Sequence, residues 1–296
     1  MTAAVSWAMP PDALGVVHSP VAIGAPLRIV SLVPSLTELL CVLGLARYLV
    51  GRTGFCIHPR VQVQSIEKVG GTKDVRSDRI RALAPTHLIV NIDENEKPTI
   101  DALAAAIPCL IVTHPQTPHD NLALYLLFGA LFAAVPGVSE AAVRLCNRFT
   151  DAMQTLTAQQ NVRTRRVLYC IWQDPWMTVT RRTYIGQMLA LIGWEQWEQW
   201  ELEERAHAQQ QGSAEVSAAP CPRYPVFTWS AELTAQIDLI LLSTEPYSFG
   251  DKHIALLERQ TGKPGLLIDG ELLSWYGSRA IAGLNYLGQL RTISGD

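Results

Sequence analysis

Apolar positions along the chain fall into short unbroken runs that alternate with stretches where they recur every third or fourth residue. "RIVSLV" from Arg28 is a run of the first kind and predicts a buried strand. Pro34, Ser35 and "TELLCVLGL" follow it, and the spacing of Leu39, Leu40 and Leu43 predicts a helix ended by Gly44. "YLVGRT" reads as a second short strand leading into "GFCIHP", and "SDRIRALAPTHLIVN" as a helix with a Ser/Asp start, a proline stop and a strand over 87–91. "TIDALAAAIPCLIVT" repeats that order, and an apolar helix over 121–134 closes the first half.

Pro136 and Gly137 break the chain, and 139–160 then carries Val143, Leu145, Phe149, Met153 and Leu156 at helical spacing behind Ser139, a good cap. At 1.5 Å per residue this helix is about 33 Å long, the diameter of a small domain. A second alternating half runs through "RRVLYCIW" (165–172), "TYIGQMLALIG", "IDLILLST" (237–244), "GLLID" and "SRAIAGLNYLGQL". Alternation of this kind predicts an α/β protein with parallel sheets. The boundaries read as an N-terminal extension 1–26, an α/β lobe 27–136, a connecting helix 137–162 and a second α/β lobe 163–296. Within the second lobe, 194–220 is polar and locally repetitive, and is expected to be a solvated insertion without a buried strand.

Hydrophobic residues make up 48% of the chain and charged residues 17%, enough apolar material for sizeable cores and the balance of a soluble globular protein. Lys and Arg number 24 against 27 Asp and Glu, and no basic stripe stands out, so nucleic acid is not an expected partner. The first twenty residues lack a basic region and a continuous apolar core and do not read as a secretory signal. "LALYLLFGALFAAV" is too short for the roughly 20 residues of a membrane span. Six cysteines at 41, 56, 109, 146, 170 and 221 form no C-x-x-C pair and read as reduced thiols.

Candidate chemistry gathers where strands end, the edge at which open α/β sheets take ligands. In "GFCIHP" the residues alone leave three readings of Cys56 and His58 open: a nucleophile with its base, the rim of a ligand site, or packing. "NIDENEK" places Asp93, Glu94 and Asn95 at a strand end as acceptors for a polar ligand or a hard cation, or as a solvated turn. "GGTK" at 70–73 offers backbone amides and one ammonium without the full phosphate-loop pattern. "WQDPWM", "STEPYSFGDKH" and "DGELLSWYGSR" bring Trp172, Trp176, Tyr247, Trp275 and Tyr276 together with carboxylates, as walls for a bulky planar ligand. No G-x-S-x-G, H-E-x-x-H or G-x-G-x-x-G motif accompanies them, which argues against an enzyme.

"RIVSLVPSLTELLCVLGL", "IEKVGG", "DRIRALAPTHLIV", the long helix, "RRVLYCIWQDPWMTV" and "SRAIAGL" resemble, in that order, the helical-backbone substrate-binding proteins of ABC importers across roughly 28–296. The likeness is nearest to the cobalamin-binding, BtuF-like group and its metal-receptor relatives, and Ser-x-Thr-Glu at 35–38 is its most specific part. The resemblance implies two Rossmann-like lobes joined by one backbone helix, with a ligand cleft between them and no cofactor beyond the bound corrinoid or metal chelate. It puts pocket aromatics of that group on Phe55 and Tyr224, and a pocket Trp on Thr72. Docking acids for importer membrane subunits fall on Asp78 and near Ser230, with Glu232 two residues beyond. The ligand-binding set expected on this basis is Phe55, Cys56, His58, Thr72, Glu94, Trp172, Trp176, Tyr224, Glu245, Tyr247, Asp269 and Trp275, with His58 and Cys56 as candidate metal ligands. Two alternatives stand beside it: a bare transition metal held by Cys56, His58, Glu94 and His253, and a cytosolic cofactor-handling enzyme or chaperone that uses Cys56. The family implies the periplasm; the N-terminus leaves the cytoplasm open.

Overall fold

The computed structural model describes residues 9–158, 164–198 and 222–293. By internal contacts the chain divides into two compact units. The first comprises 1–115, 119–152 and 275–282, and the second 116–118, 153–274 and 283–296. The division falls inside the helix Val138–Thr157, the long helix expected at 139–160. No helix among the described residues is long and apolar enough to cross a membrane.

In the first unit, β1 (Ile29–Ser31), β2 (Leu49–Arg52), β3 (Glu67–Lys68), β4 (His87–Asn91) and β5 (Cys109–Thr113) form one sheet in the order β3-β2-β1-β4-β5, every neighbouring pair parallel. All five residues of β4 are buried, which is why this segment reads as an unbroken apolar run and not as an alternation. Helix Pro34–Val42 starts with proline in its first turn, where the missing N–H costs nothing, and Gly44 at φ +87° follows its end. The N-terminal extension lies on this unit, with Ala13 N–H bonded to Val112 O at 2.9 Å and Val21 N–H to Leu131 O at 2.8 Å.

The second unit builds its sheet from β6 (Arg165–Trp172), β7 (Met177–Thr178), β8 (Trp194–Gln196), β9 (Leu239–Ser243) and β10 (Gly265–Ile268). The order is β10-β9-β6-β7, with β8 also on β6; only the β6–β7 pair is antiparallel. Strand β8 corrects the expectation for 194–220, because the start of that stretch is a buried strand. Trp194 and Trp197 are core residues, and Gln196 is buried because its amide accepts from Tyr169 N–H at 3.0 Å and donates to Thr178 Oγ1 at 2.9 Å and Trp197 O at 2.8 Å. A polar side chain with all its partners inside can sit in a sheet that composition marks as solvated. The remainder of the expected insertion, from 199, lies outside the described residues, as does Cys221.

Candidate functional site

The loops after β1 and β4 leave the first sheet where the strand order reverses, the position at which open parallel sheets bind ligands. Two asparagines shape this edge. Asn91, buried at the end of β4, accepts N–H bonds on Oδ1 from Asp93 at 2.8 Å and Glu94 at 3.3 Å. Asn95 accepts from Asn91 N–H at 2.8 Å and donates through Nδ2 to Leu32 O at 3.3 Å and Thr72 O at 3.0 Å. A single carboxamide therefore pins the loops after β1, β3 and β4 to one another, and Thr72 takes part through its carbonyl. Lys73 Nζ adds a 2.7 Å bond to Asp93 O. Gly70, at φ +112°, turns the loop after β3 so tightly that a Cβ would stand 2.3 Å from Asp74 O.

"GFCIHP" follows β2 through a turn at Gly54 and Phe55, in which Cys56 N–H bonds Thr53 O at 3.3 Å and Ile57 N–H bonds Phe55 O at 2.9 Å. Phe55 and Ile57 are 63% and 48% exposed, and Ile92 beyond β4 is 45% exposed. Large apolar side chains left in water beside strand-end loops call for a partner surface. Cys56 is fully buried beneath them, its Sγ 3.1 Å from the hydroxyls of both Thr37 and Thr53, and burial pushes its thiol up. The thiol thus faces the threonines under the loop, which takes it off the ligand face and leaves the sulfur a protonated packing group. His58 is half-buried, with its ring edge-on to Trp275 at 5.7 Å.

Trp275 opens a segment that the sequence reading places in the second lobe and the structure packs into the first unit. Gly277 decides this. Its N–H donates to Asn121 Oδ1 at 2.6 Å, and its carbonyl accepts from Tyr125 Oη at 2.9 Å, both on helix Asp120–Leu131. At φ +77° the residue must be glycine, and a Cβ would also press on Leu39 and Ser35. Arg279 makes a two-point pair with Glu38, Nε to Oε2 at 2.8 Å and Nη2 to Oε1 at 3.1 Å, while its guanidinium lies 4.7 Å over the Trp275 ring. Between these anchors Tyr276 Oη donates to Glu94 Oε1 at 2.6 Å. Burial, with Asp93 adding to it, raises Glu94 to about 7 despite the tyrosine's bond, so this carboxyl changes charge near neutrality. Burial and the facing Glu94 push the Tyr276 phenol well up, keeping it a donor.

The second unit's expected residues divide differently. Trp172, at the end of β6, stands edge-on to Tyr247 at 5.5 Å, and it and Tyr224 are 39% and 38% exposed. Trp176, partly buried, is stacked on Phe249 at 5.7 Å and packed against Phe227 and Trp229 at the edge of the second unit's core. Asp269 Oδ1 accepts Leu272 N–H at 3.1 Å and so caps the helix Gly270–Ser274. Glu245 is half-buried, two residues beyond the end of β9. His253 reaches back to Gly250 N–H through Nδ1 at 3.0 Å, a capping role. Among the described residues no group of three or more His, Cys, Asp or Glu stands where it could hold a metal ion.

Asp78 and Glu232 both lie exposed in the first turn of short helices, Ser77–Ala82 and Ala231–Gln236, the second capped by Ser230 Oγ. Asn91, Asn121, Gly277 and Arg279 complete the first unit's edge without having been singled out from sequence, and Glu38, which lies in the Ser-x-Thr-Glu motif, was given no role. The only signal for them was proximity to motif residues, because their partners lie up to 241 residues away.

A family profile described as periplasmic binding protein matches residues 29–254. Among solved structures, the periplasmic vitamin B12 binding protein BtuF of Vibrio cholerae is similar with a TM-score of 0.70 at 18% identity, over 90% of this chain and 96% of that one. A periplasmic heme binding protein from Pseudomonas aeruginosa aligns with a TM-score of 0.68 at 22% identity, over 92% and 95%. The periplasmic heme-binding protein RhuT from Roseiflexus sp. RS-1 aligns with a TM-score of 0.66 at 21% identity, over 90% and 97%. No curated protein sequence matches the chain.

Proposed function

The chain belongs to the periplasmic binding protein family, whose members are substrate-binding proteins and not enzymes, and from that premise we propose that it captures a corrinoid or another metal chelate of similar bulk for an ABC importer. The observation that carries this reading is the pairing, on the first unit's carboxyl edge, of exposed Phe55, Ile57 and Ile92 with the half-buried His58 imidazole and the Glu94–Tyr276 pair. A flat macrocycle needs apolar faces to stack on and a few fixed polar groups at its rim. A chelated metal accepts a neutral imidazole such as His58 as axial ligand. Two of the similar structures are named for heme and one for vitamin B12, which supports a tetrapyrrole-like ligand class without choosing within it. In the second unit, Trp172, Tyr224 and Tyr247 are the residues proposed to add aromatic contact.

Isothermal calorimetry with cobalamin, cobinamide and heme tests the proposal. Binding of one of them tighter than about 100 μM, weakened at least about tenfold by His58→Ala, is expected; heat of binding absent for all three sinks the reading. Asp78 and Glu232 are proposed as the importer-docking acids. Replacing both by lysine should reduce uptake into proteoliposomes bearing the importer while leaving calorimetric affinity unchanged.

A further inference from the structure

Along β5, from Val112 to Cys109 at its amino end, Asp12 and His18 of the N-terminal extension lie against the strand and meet Cys109. Asp12 is nearly fully buried, and both its oxygens accept: Oδ1 from Leu14 N–H at 2.9 Å and Val16 N–H at 3.0 Å, Oδ2 from Val112 N–H at 3.2 Å. His18 Nε2 lies 3.1 Å from the same Oδ2. Facing an oxygen that only accepts, Nε2 carries the ring proton, which leaves the Nδ1 lone pair turned toward Cys109 Sγ at 3.5 Å. Carboxylate, imidazole and thiol thus stand in the order that activates a nucleophile: an acceptor orienting a base, and the base facing the atom that loses its proton. His87, the register neighbour of Cys109, is occupied by Thr86 Oγ1 at 2.8 Å from its Nδ1.

We propose that Cys109, with His18 as its base and Asp12 orienting the imidazole, is a thiol-exchange site that forms mixed disulfides with small disulfide-bonded compounds. Attack on an acyl carbon would call for an oxyanion donor, and the usual one, the nucleophile's own N–H, is already bonded to Thr86 O at 3.1 Å. Exchange at sulfur has no such requirement. In the step, Sγ attacks one sulfur of the disulfide while His18 Nδ1 takes the thiol proton. The S–S bond breaks with its electron pair on the departing sulfur, and that thiolate takes the proton from His18. Cys109 is oxidised to the mixed disulfide and one small thiol is released. Burial and Asp12 push the Cys109 thiol up, so attack calls for a base to take its proton in the step. Cys109 and Cys146 are both partly exposed, whereas Cys41, Cys56 and Cys170 are buried, so Cys146 serves as an internal standard.

The full chain is incubated with cystamine at neutral pH, quenched with acid at intervals, and the adduct on each cysteine peptide is measured by mass spectrometry. Cys109 is expected to react at least about tenfold faster than Cys146, and His18→Gln to remove that advantage while the Cys146 rate stays fixed. Equal rates at the two cysteines in the unaltered chain overturn the proposal. So does a His18→Gln protein whose Cys109 reacts as fast as before or faster, since solvent access alone would then set the rate.

Discussion

The carboxyl edges of the two sheets solve the same problem by different physics. In the first unit, loops after β1, β3 and β4 are fixed by the directional bonds of Asn91 and Asn95, and apolar Phe55 and Ile57 project into water above them. In the second, Trp176, Phe227, Trp229, Tyr247 and Phe249 pack ring against ring, and the loops are held by that cluster. The second unit thus spends much of the Trp176 ring on packing, while the first unit holds its loops with amides and leaves its hydrophobes exposed.

Trp176→Ala should give the largest break in this contrast. It removes a ring packed on three others and is expected to cost about 4 kcal/mol in denaturant unfolding of the second unit. A loss below about 1 kcal/mol would mean that the aromatic cluster is not what holds these loops.

Glu94 comes next. Its carboxyl stands at about 7 in the folded protein against an ordinary 4.5, so the folded state binds this proton more tightly than the unfolded chain. Stability from this group is complete below about pH 4.5 and falls as pH rises through 7, by an amount on the order of 3 kcal/mol. Glu94→Gln should flatten that part of the stability curve. Tyr276→Phe, which removes the bond that lowers the carboxyl, should move the remaining titration upward, readable by carbon-13 NMR of the glutamate carboxyl. Identical stability profiles for Glu94→Gln and the unaltered chain between pH 4.5 and 7.5 would contradict the assignment.

Phe55→Ala should have the smallest effect on folding, within about 0.5 kcal/mol for so exposed a ring, yet weaken chelate binding at least about tenfold in calorimetry. A large stability loss with affinity unchanged would place Phe55 among the packing residues and erase the difference between the two edges.

Much of the architecture was legible because it follows from local pattern. The strand over 87–91 was bounded correctly from its apolar run and the proline before it, and Gly44 marked the helix end it was expected to mark. The segment 194–198 misled because Gln196 and Glu198 are buried with their partners, and a buried satisfied amide looks the same in sequence as a solvated one. Strand-end position pointed to Glu94 and His58, but nothing local distinguished inward Cys56 from outward Phe55.

The chain's own sequence determined the alternation of elements and the candidate edge, since hydrophobic periodicity and strand-ending loops depend on neighbours a few residues apart. Tertiary structure alone decided that Tyr276, Gly277 and Arg279 return to complete the first unit, that Glu94 titrates near neutrality, and that Asp12 and His18 face Cys109. Burial and hydrogen bonding depend on which distant residues meet, and contacts across 91 to 241 positions leave no periodic trace in the segments that make them.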